Sequence, residues 1–290
     1  MPELPEVESL ATFVAGQATG AVVDNVDVYA FSVLKTYDPQ ITALTGRALT
    51  GTTRWGKFLD LDFGGQGDPL HLVVHLARAG WLRWHDELPK SSPRRGKGPL
   101  SLRLRFADGA GFDITEAGTQ RKVAAYLVRD PAEVQGVARL GIDPLVPEFT
   151  VAALRTLIAG KRTQIKGLLR DQAVIAGIGN AYSDEILHAA KMSPYRVAAD
   201  LTDDDIELLH DVTVRVLTEA VERSGGLAAG DLKRDKKTNM AVHGRAGENC
   251  PVCGDTVREV SFADRSLQYC PTCQTGGKVL ADRRLSRLLK

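Results

Sequence analysis

The sequence predicts an α+β protein of more than one domain, with a β-rich N-terminal part, a helical middle part and a small metal-binding part near the C-terminus. Three observations predict this fold class. Apolar and polar residues alternate in segments of the first 133 residues, apolar residues recur at helical spacing from about residue 150, and all four cysteines lie between Cys250 and Cys273. Alternation with a period of two is typical of half-buried strands, whereas a period near 3.6 is typical of amphipathic helices.

The N-terminal part is predicted to begin with a helix and to continue in strands. After an extended start that contains prolines, residues 5–16 have helical spacing. The alternating segments that follow end at Gly, Asp or Pro turns, which favours an antiparallel sheet or a sandwich. These segments are Val22–Val28, Lys57–Phe63, His71–Leu76 and Ser101–Phe106. Residues 90–99 are rich in Pro, Gly, Ser and Arg and are predicted to form an exposed loop.

The middle part is predicted to consist of helices alone. Glycines and Pro194 separate its apolar segments, as expected at helix ends. The segments with helical spacing are Val151–Ile158, Ile165–Leu169, Asp184–Ala190 and Asp203–Val221.

The length of 290 residues is sufficient for two domains with separate cores. We place the domain limits where the sequence pattern changes. The limits are 1–133 for the β-rich domain, 134–148 for a linker, 149–246 for the helical domain, and 247–290 for the metal-binding region with a basic tail.

Charge is distributed unevenly along the chain. The net charge is +1, but the last sixty residues hold twelve Lys and Arg against seven Asp and Glu. A basic C-terminal section on an almost neutral protein is typical of a local contact with a polyanion such as nucleic acid. A solvated basic face explains the charge equally well.

The chain has no apolar run near the ~20 residues that cross a bilayer, and its start lacks the basic and apolar segments of a signal peptide. We therefore expect a cytoplasmic or nucleoid-associated protein with no membrane partner.

The four cysteines have the spacing C-x2-C-x16-C-x2-C. Two short knuckles, Cys250/Cys253 and Cys270/Cys273, can together offer four thiolates to one zinc ion with no open position for catalysis. Disulfides are the alternative, but a chain without an export signal is expected to stay reduced. The hairpin between the knuckles is too short for a hydrophobic core, so we expect the metal to hold it together.

A glycine-rich segment, Gly177-Ile178-Gly179-Asn180, precedes a predicted helix. Such a turn directs backbone N–H groups and the positive end of the helix dipole at an anion, and Asn180 can donate a side-chain hydrogen bond. A tight corner between two helices also requires glycine, so both interpretations stay open.

The chain starts with MPELPEVE. Loss of Met1 leaves the secondary amine of Pro2, and α-amino groups titrate near ~8, below the side chain of lysine. A partly unprotonated amine can attack the C1′ carbon of a deoxyribose and form a Schiff base, with a nearby carboxylate for proton transfer. By residue types alone, an acidic disordered start describes the segment better.

These segments together resemble the formamidopyrimidine-DNA glycosylase/endonuclease VIII family. They are MPELPEVE, the Lys57 of Trp55-Gly56-Lys57-Phe58-Leu59, GIGNAYSDEIL and the cysteine pattern, in that order over essentially the whole chain. The resemblance implies a base-excision DNA glycosylase with abasic-site lyase activity that acts on damaged double-stranded DNA as a monomer. It also implies an N-terminal β-sandwich with flanking helices, a helix–two-turns–helix domain and a β-hairpin zinc finger with one structural zinc ion.

The resemblance assigns catalytic roles by matching motif positions. Pro2 is the nucleophile, Glu3 the general acid that helps to open the sugar, and Lys57 a proton donor and phosphate contact. Glu6 matches a supporting carboxylate. Attack by the amine expels the base and leaves an imine, and β-elimination and δ-elimination then follow in this family.

The resemblance also assigns DNA contacts. Lys166 and Asn180 match residues of the helix–two-turns–helix motif that hold phosphates, and Arg265 matches the zinc-finger arginine beside the flipped nucleotide. The basic tail after Cys273 is either an amphipathic helix that adds phosphate contacts or a solvated tail.

The sequence departs from the family pattern where the lesion is selected. Arg78 occupies a position that is usually methionine or another apolar residue, and residues 115–122 lack the phenylalanine of an Arg-x-Phe pair. Arg78, or Gln120 with Arg121, is a candidate to fill the vacated stack, with ordinary surface contacts as the alternative. Residues 225–245, in the region that caps the flipped base in some relatives, differ from those relatives and are rich in lysine and arginine. The sequence therefore does not show which damaged base is the substrate.

Two other functions stay open. A protein with the same clamp and zinc finger can bind damaged DNA without excising a base, although such a binder has no use for Pro2, Glu3 and Lys57 together. The chain can also act mainly as an abasic-site lyase.

Overall fold

The computed structural model describes residues 1–64, 68–89, 96, 98–118, 120–262 and 266–281. The chain divides into two compact units, Met1–Leu140 with Val221–Lys233, and Gly141–Ala220 with Arg234–Lys290. No helix among the described residues is long and apolar enough to cross a membrane.

The first unit opens with helix α1, Leu4–Ala18. Pro5 lies in its first turn, where the missing N–H of proline has no cost, and Glu3 is the N-cap. One face of α1, including Val7, Leu10 and Val14, is fully buried in the core of the unit. This burial stabilises the helix that begins two residues after the predicted nucleophile, Pro2.

Two antiparallel four-stranded sheets follow α1, as expected for a β-sandwich with flanking helices. One sheet has the order β1-β6-β7-β5 and the other has the order β2-β3-β4-β8. The strands are β1 Val23–Val28, β2 Gly51–Trp55, β3 Phe58–Asp62, β4 His71–His75, β5 Gly80–His85, β6 Leu100–Phe106, β7 Gly111–Glu116 and β8 Ala124–Val128. A short helix, α2 Gln135–Ala138, ends this part of the chain.

The four strands predicted from alternation, β1, β3, β4 and β6, lie within one residue of the expected limits at each end. The other four strands were not predicted. Most of the predicted 90–99 loop lies outside the described residues.

Residues 221–233 pack with the first unit rather than with the helices that precede them. Ala229 and Leu232 belong to the core cluster of the β-rich part. The indole N–H of Trp81 donates to the carbonyl oxygen of Ala229 at 2.8 Å. A segment distant in sequence therefore completes the first core.

The second unit is helical up to the cysteine region, as the spacing predicts. Its helices are α3 Val151–Ile158, α4 Ile165–Leu169, α5 Asn180–Ala189, α6 Asp203–Ser224 and α7 Leu232–Asn239, the last two of which run across a unit boundary. The side chain of Thr150 caps α3 by accepting from the backbone N–H of Ala153 at 3.1 Å. Helix α5 starts four residues earlier than predicted, at Asn180, and α7 was not predicted.

The C-terminal hairpin consists of β9, Arg258–Ser261, and β10, Ser266–Tyr269, and helix α8, Pro271–Thr275, follows it. The expectation that this hairpin lacks an apolar core is wrong. Val260, Leu267 and Tyr269 are buried together against Tyr195 of the helical part. The hairpin has an apolar core because its buried side chains pack against Tyr195, so the metal is not its only support.

Candidate functional site

The predicted nucleophile and its two carboxylates lie at the start of α1. Pro2, Glu3 and Glu6 are all buried, and Glu3 is only 2% exposed. Glu3 and Glu6 form a reciprocal capping box, in which the backbone N–H of Glu3 donates to Oε2 of Glu6 at 2.8 Å. Glu6 therefore holds the backbone of Glu3, next to Pro2, while its supporting role in catalysis stays a prediction.

Lys57 lies in the two-residue turn between β2 and β3. Trp55 pairs with Phe58 across this turn, and Gly56 has a φ of +55°. Glycine at the first turn position matches the twist of a two-residue hairpin. The tight turn therefore sets the backbone of Lys57, whose side chain is buried.

Side-chain bonds join α1 to the hairpin that carries Lys57. Nε of Arg54 donates to Oε2 of Glu8 at 2.7 Å, and its NH1 donates to the carbonyl oxygen of Gly56 at 3.3 Å. Oγ1 of Thr52 donates to the carbonyl oxygen of Ala11 at 2.7 Å. Arg54 and Glu8 were not predicted from the sequence, although polar residues at alternate positions of β2 indicate a strand face that contacts another element.

His75 lies close to Lys57 and was also missed. It pairs with Phe58 across β3 and β4, and the two ring centroids are 4.8 Å apart. Burial, together with the positive charge of Lys57, lowers the pKa of His75 to about 4. The imidazole is therefore neutral at pH 7 and adds no second positive charge beside the lysine.

The side chains of Lys166 and Asn180 are both used in contacts within the second unit. Nζ of Lys166 lies 2.6 Å from Oδ1 of Asp184 and 2.8 Å from Oγ of Ser183. It also donates to the carbonyl oxygen of Asn180 at 3.2 Å. Lys166 is 5% exposed, so its ammonium holds the first turns of α5 from inside.

The amide of Asn180 reaches the hairpin of the second unit. Its Nδ2 donates to the carbonyl oxygen of Ser266 at 2.7 Å, while Oδ1 is buried and has no partner within the described part of the chain. Arg265, the residue before Ser266, lies outside the described residues. The contact places the glycine-rich turn beside the strand that follows Arg265.

Two acidic residues of α5 bind the segment after α7, and sequence analysis missed both. The carboxylate of Glu185 accepts the backbone N–H groups of Ala241, Val242 and His243 at 2.6, 3.0 and 2.8 Å. Oδ2 of Asp184 lies 2.8 Å from Nδ1 of His243. The adjacent Asp and Glu in GIGNAYSDEIL were the available signal, since buried carboxylates require such partners.

The candidates for filling the vacated stack lie on two neighbouring connections of the first unit. Arg78 is exposed on the β4–β5 connection, and Gln120 and Arg121 are exposed on the β7–β8 connection. The backbone N–H of Ala117 donates to the carbonyl oxygen of Ala79 at 3.2 Å, which joins the two connections. The geometry brings the candidates to one edge of the unit without selecting among them.

The four cysteines meet in one cluster. Their sulfur atoms all lie within 4.8 Å of one another, and all four are free thiols. A tetrahedral site with Zn–S bonds of ~2.3 Å has sulfur atoms about 3.8 Å apart, which the cluster fits. Asp255 joins the knuckles, because its carboxylate accepts from Oγ1 of Thr272 at 2.8 Å. Nε2 of buried His188 lies 3.3 Å from Sγ of Cys250.

Comparisons with known proteins agree with this geometry. Family models match along the chain: the formamidopyrimidine-DNA glycosylase N-terminal domain at residues 1–122, the H2TH domain of the same enzymes at 140–230, and a zinc finger found in FPG and IleRS at 247–276. Formamidopyrimidine-DNA glycosylase of Symbiobacterium thermophilum is 36% identical over 98% of this chain and 93% of that protein. The chain belongs to the formamidopyrimidine-DNA glycosylase family.

Other relatives and solved structures of the family are also similar. An uncharacterized formamidopyrimidine-DNA glycosylase-like protein of Mycobacterium tuberculosis is 58% identical over 52% of this chain and 94% of that protein. Lactococcus lactis Fpg, in complex with DNA containing an abasic site, is 25% identical with a TM-score of 0.80 over 94% of this chain and 99% of that chain. A complex of the same enzyme with DNA containing an oxidised pyrimidine is 27% identical with a TM-score of 0.81.

These findings confirm the family, the fold class and the zinc finger. One structural zinc ion is held by the thiolates of Cys250, Cys253, Cys270 and Cys273. The catalytic and DNA-binding roles assigned to single residues of this glycosylase-family chain stay predictions.

Proposed function

We propose that this chain is a bifunctional DNA glycosylase of base-excision repair, which removes a damaged, oxidised base and then cleaves the strand at the abasic site. Membership of the family supports the glycosylase and lyase class. The observation that carries the proposal is the arrangement in the first unit. Helix α1 begins at Leu4, directly after Pro2 and Glu3, and Arg54 ties α1 to the turn that carries Lys57.

In the proposed reaction, the amine of Pro2 attacks C1′ of the damaged nucleotide. The C1′–N bond breaks, and its electron pair leaves with the base, which takes up a proton. Glu3 protonates the ring oxygen as the sugar opens, and the amine nitrogen forms an iminium with C1′. The iminium acidifies the C2′ protons, so β-elimination breaks the C3′–O bond and δ-elimination breaks the C5′–O bond. A one-nucleotide gap with phosphate ends is left.

Lys57 is proposed to donate a proton and to hold a phosphate of the damaged strand, with Glu6 fixing the backbone beside the nucleophile. The damaged base has to leave the stack before its C1′ can be reached, and phosphate contacts offset a few kcal/mol of unstacking.

The DNA contacts of the second unit are proposed to centre on Asn180 and Arg265. Lys166 supports them from inside, because its ammonium holds Asp184 and the carbonyl oxygen of Asn180. Arg78 and Arg121 are proposed to contact DNA from the two joined connections of the first unit.

The partner is proposed to be damaged double-stranded DNA, since the Lactococcus lactis relatives were solved with abasic-site and damaged DNA. We expect a monomer associated with the nucleoid in the cytoplasm. The domain limits at 1–133, 149–246 and 247–290 also remain proposals.

Borohydride trapping tests this function. Purified protein is incubated with duplexes that carry an abasic site, 8-oxoguanine, a ring-opened purine, an oxidised pyrimidine or uracil, and covalent adducts are counted. The adduct should disappear in Pro2→Gly and persist in Pro5→Ala, a matched change of a proline three residues away. Binding without an adduct on any duplex would overturn the proposal in favour of a damage-binding protein. An adduct on the abasic site alone would reduce the function to that of a lyase.

A further inference from the structure

Asp60 is a buried carboxylate to which the proposed reaction assigns no role. It lies in β3, three residues after Lys57, and is only 2% exposed. Its Oδ2 accepts from the indole N–H of Trp55 at 3.0 Å, and its Oδ1 lies 3.1 Å from Nδ1 of His71. The two carboxylate oxygens therefore contact the strands on either side of β3, since Trp55 belongs to β2 and His71 to β4.

Asp60 lies on the face of its sheet that is turned away from the sandwich core. Leu59 and Leu61, its neighbours in β3, belong to the first core. Val73, which pairs with Asp60 in β4, belongs instead to a second apolar cluster that also includes side chains of the 134–137 segment. The carboxylate is therefore surrounded by an apolar layer rather than by water.

This position lowers the stability of the protein when Asp60 is charged. Burial raises the pKa of Asp60, and the bonds from Trp55 and His71 oppose that shift only in part. Because the pKa is higher in the folded protein than in the unfolded chain, the free energy of unfolding falls as the pH rises and Asp60 ionises. Apolar residues of similar volume are often neutral or stabilising at buried charged positions. Stability alone therefore does not account for a carboxylate here.

The bond between Trp55 and Asp60 crosses the hairpin that carries Lys57. Trp55 pairs with Phe58 at the turn, and Asp60 lies two pairs farther along, opposite Thr53. The indole therefore reaches diagonally from the first strand to the second, beside the turn. Because Trp55 is 41% exposed, this bond contributes more than packing to the orientation of its ring.

Arg54 holds the same hairpin from its other face. Consecutive side chains of a strand point to opposite faces, so Arg54 and Trp55 leave β2 on different sides. Arg54 binds Glu8 of α1 and the carbonyl oxygen of Gly56. With both faces held, the relative twist of β2 and β3 is restricted, and the backbone of the turn between them is restricted as well.

We propose that Asp60 is a positioning residue for the strand-cleavage reaction, which acts through Trp55 to hold the turn that carries Lys57, while His71 orients the carboxylate. This role rests on the proposed function, because it serves the proton transfer and phosphate contact assigned to Lys57. Asp60 itself contacts neither DNA nor the reacting atoms.

The charged groups around Asp60 determine how this role depends on pH. By cross-strand register, the other titratable groups of the four strands on this face are Asp62, His71, His75 and Tyr126. The charge of Asp62 raises the pKa of Asp60 and that of His71 lowers it. The 134–138 segment, which covers this face, contains no charged residue. Protonation of Asp60 removes the negative charge that its two partners bind, so the hold on the turn should weaken as the pH falls.

Single-turnover cleavage of a duplex with one abasic site tests the role of Asp60 in the full-length protein. Asp60→Leu should cleave about ten-fold more slowly at pH 7.5, with DNA affinity and the urea midpoint of unfolding not reduced. Asp60→Asn keeps an oxygen that accepts from the indole N–H, so it should retain most of the rate. Asp24→Leu, at an exposed aspartate of β1, is the control and should cleave like the unchanged protein.

Trp55→Phe separates the hydrogen bond from the packing of the ring. It removes the indole N–H and should slow cleavage as much as Asp60→Leu does. The double variant Trp55→Phe, Asp60→Leu should be no slower than either single variant, because both changes break the same bond.

A pH series gives a measurement that a merely structural role would not change. The rate of the unchanged protein, divided by that of Asp60→Asn at the same pH, should fall between pH 7.5 and 5.5. This ratio cancels protonation of the Pro2 amine, which both proteins share. His71→Leu removes a bond and a charge that lower the pKa of Asp60, so its rate ratio should fall at a higher pH.

The outcomes separate this role from the proposed function. Cleavage by Asp60→Leu at the normal rate, no recovery in Asp60→Asn, additive losses in the double variant or a rate ratio independent of pH would each overturn the positioning role while the function stands. Failure of the unchanged protein to cleave the abasic site would overturn the proposed function, and this role with it.

Discussion

The ion pair between Lys166 and Asp184 gives a prediction that separates a structural role from a phosphate contact. The change is Lys166→Met, which keeps most of the apolar stem and removes the charge. It leaves the carboxylate of Asp184, only 1% exposed, with the imidazole of His243 at 2.8 Å. Removal of one member of a buried ion pair costs ~3–5 kcal/mol, because the other charge stays buried. Since His243 still holds the second oxygen, we expect a loss near the lower end, about 3 kcal/mol.

Urea unfolding followed by circular dichroism measures this loss, and the salt dependence of DNA binding measures the alternative. A phosphate contact made by Lys166 would lower the slope of log K against log salt by about 0.9, with little change in stability. We expect the reverse: a large loss of stability, with a smaller change of slope. Lys161→Met, at an exposed lysine of the same unit, should change stability by no more than about 0.5 kcal/mol.

The double variant Lys166→Met, Asp184→Leu provides a second check. It also removes the carboxylate that has lost its ammonium partner, so it should recover part of the lost stability. An unchanged free energy of unfolding in Lys166→Met, together with a reduced salt slope, would refute the structural interpretation.

Three further predictions follow from the contacts described above. Arg54→Met breaks the bond to Glu8 and should slow borohydride trapping about ten-fold with DNA affinity unchanged; trapping at the normal rate would contradict the positioning role. Between its ordinary pKa of ~6.5 and about pH 4, His75 binds a proton in the unfolded chain but not in the folded protein. The free energy of unfolding should therefore fall by about 3 kcal/mol as the pH is lowered over this interval. Unfolding experiments at stepped pH should show that His75→Phe removes this fall. His188→Leu removes the contact to Cys250 and should lower zinc affinity ~10–100-fold in competition with a chelator, whereas unchanged affinity would argue against support of the thiolate.

The sequence predicts those strands whose two faces differ. Strand β3 alternates clearly and was found, whereas β8, Ala124–Val128, is apolar at nearly every position and has no period to detect. Strand β7 was missed because Asp113 is buried within it. Its carboxylate is held by Arg103 through two bonds of 2.7 and 2.8 Å, a partner that becomes visible only when β6 and β7 pair.

In the candidate site too, local features can be predicted from the sequence, whereas contacts between distant residues cannot. The cysteine knuckles are local, so their spacing is sufficient to predict zinc. The roles predicted for Pro2 and Glu3 come from the resemblance of a short motif to the family. The pairing of Arg54 with Glu8 spans 46 residues, and the capture of Lys166 by Asp184 spans 18. Pairings of this kind depend on tertiary packing, so they cannot be predicted from sequence periodicity.

The packing of residues 221–233 into the first core has a consequence for how the protein is made. On the ribosome, residues 1–140 emerge without the segment that supplies Ala229 and Leu232 and that accepts the indole N–H of Trp81. Synthesis at about 5–20 residues per second delays that segment by roughly 5–20 s. The core of the N-terminal unit therefore remains incomplete until most of the helical unit has been translated. For the same reason, a fragment that ends at residue 140 should be less stable than the complete first unit.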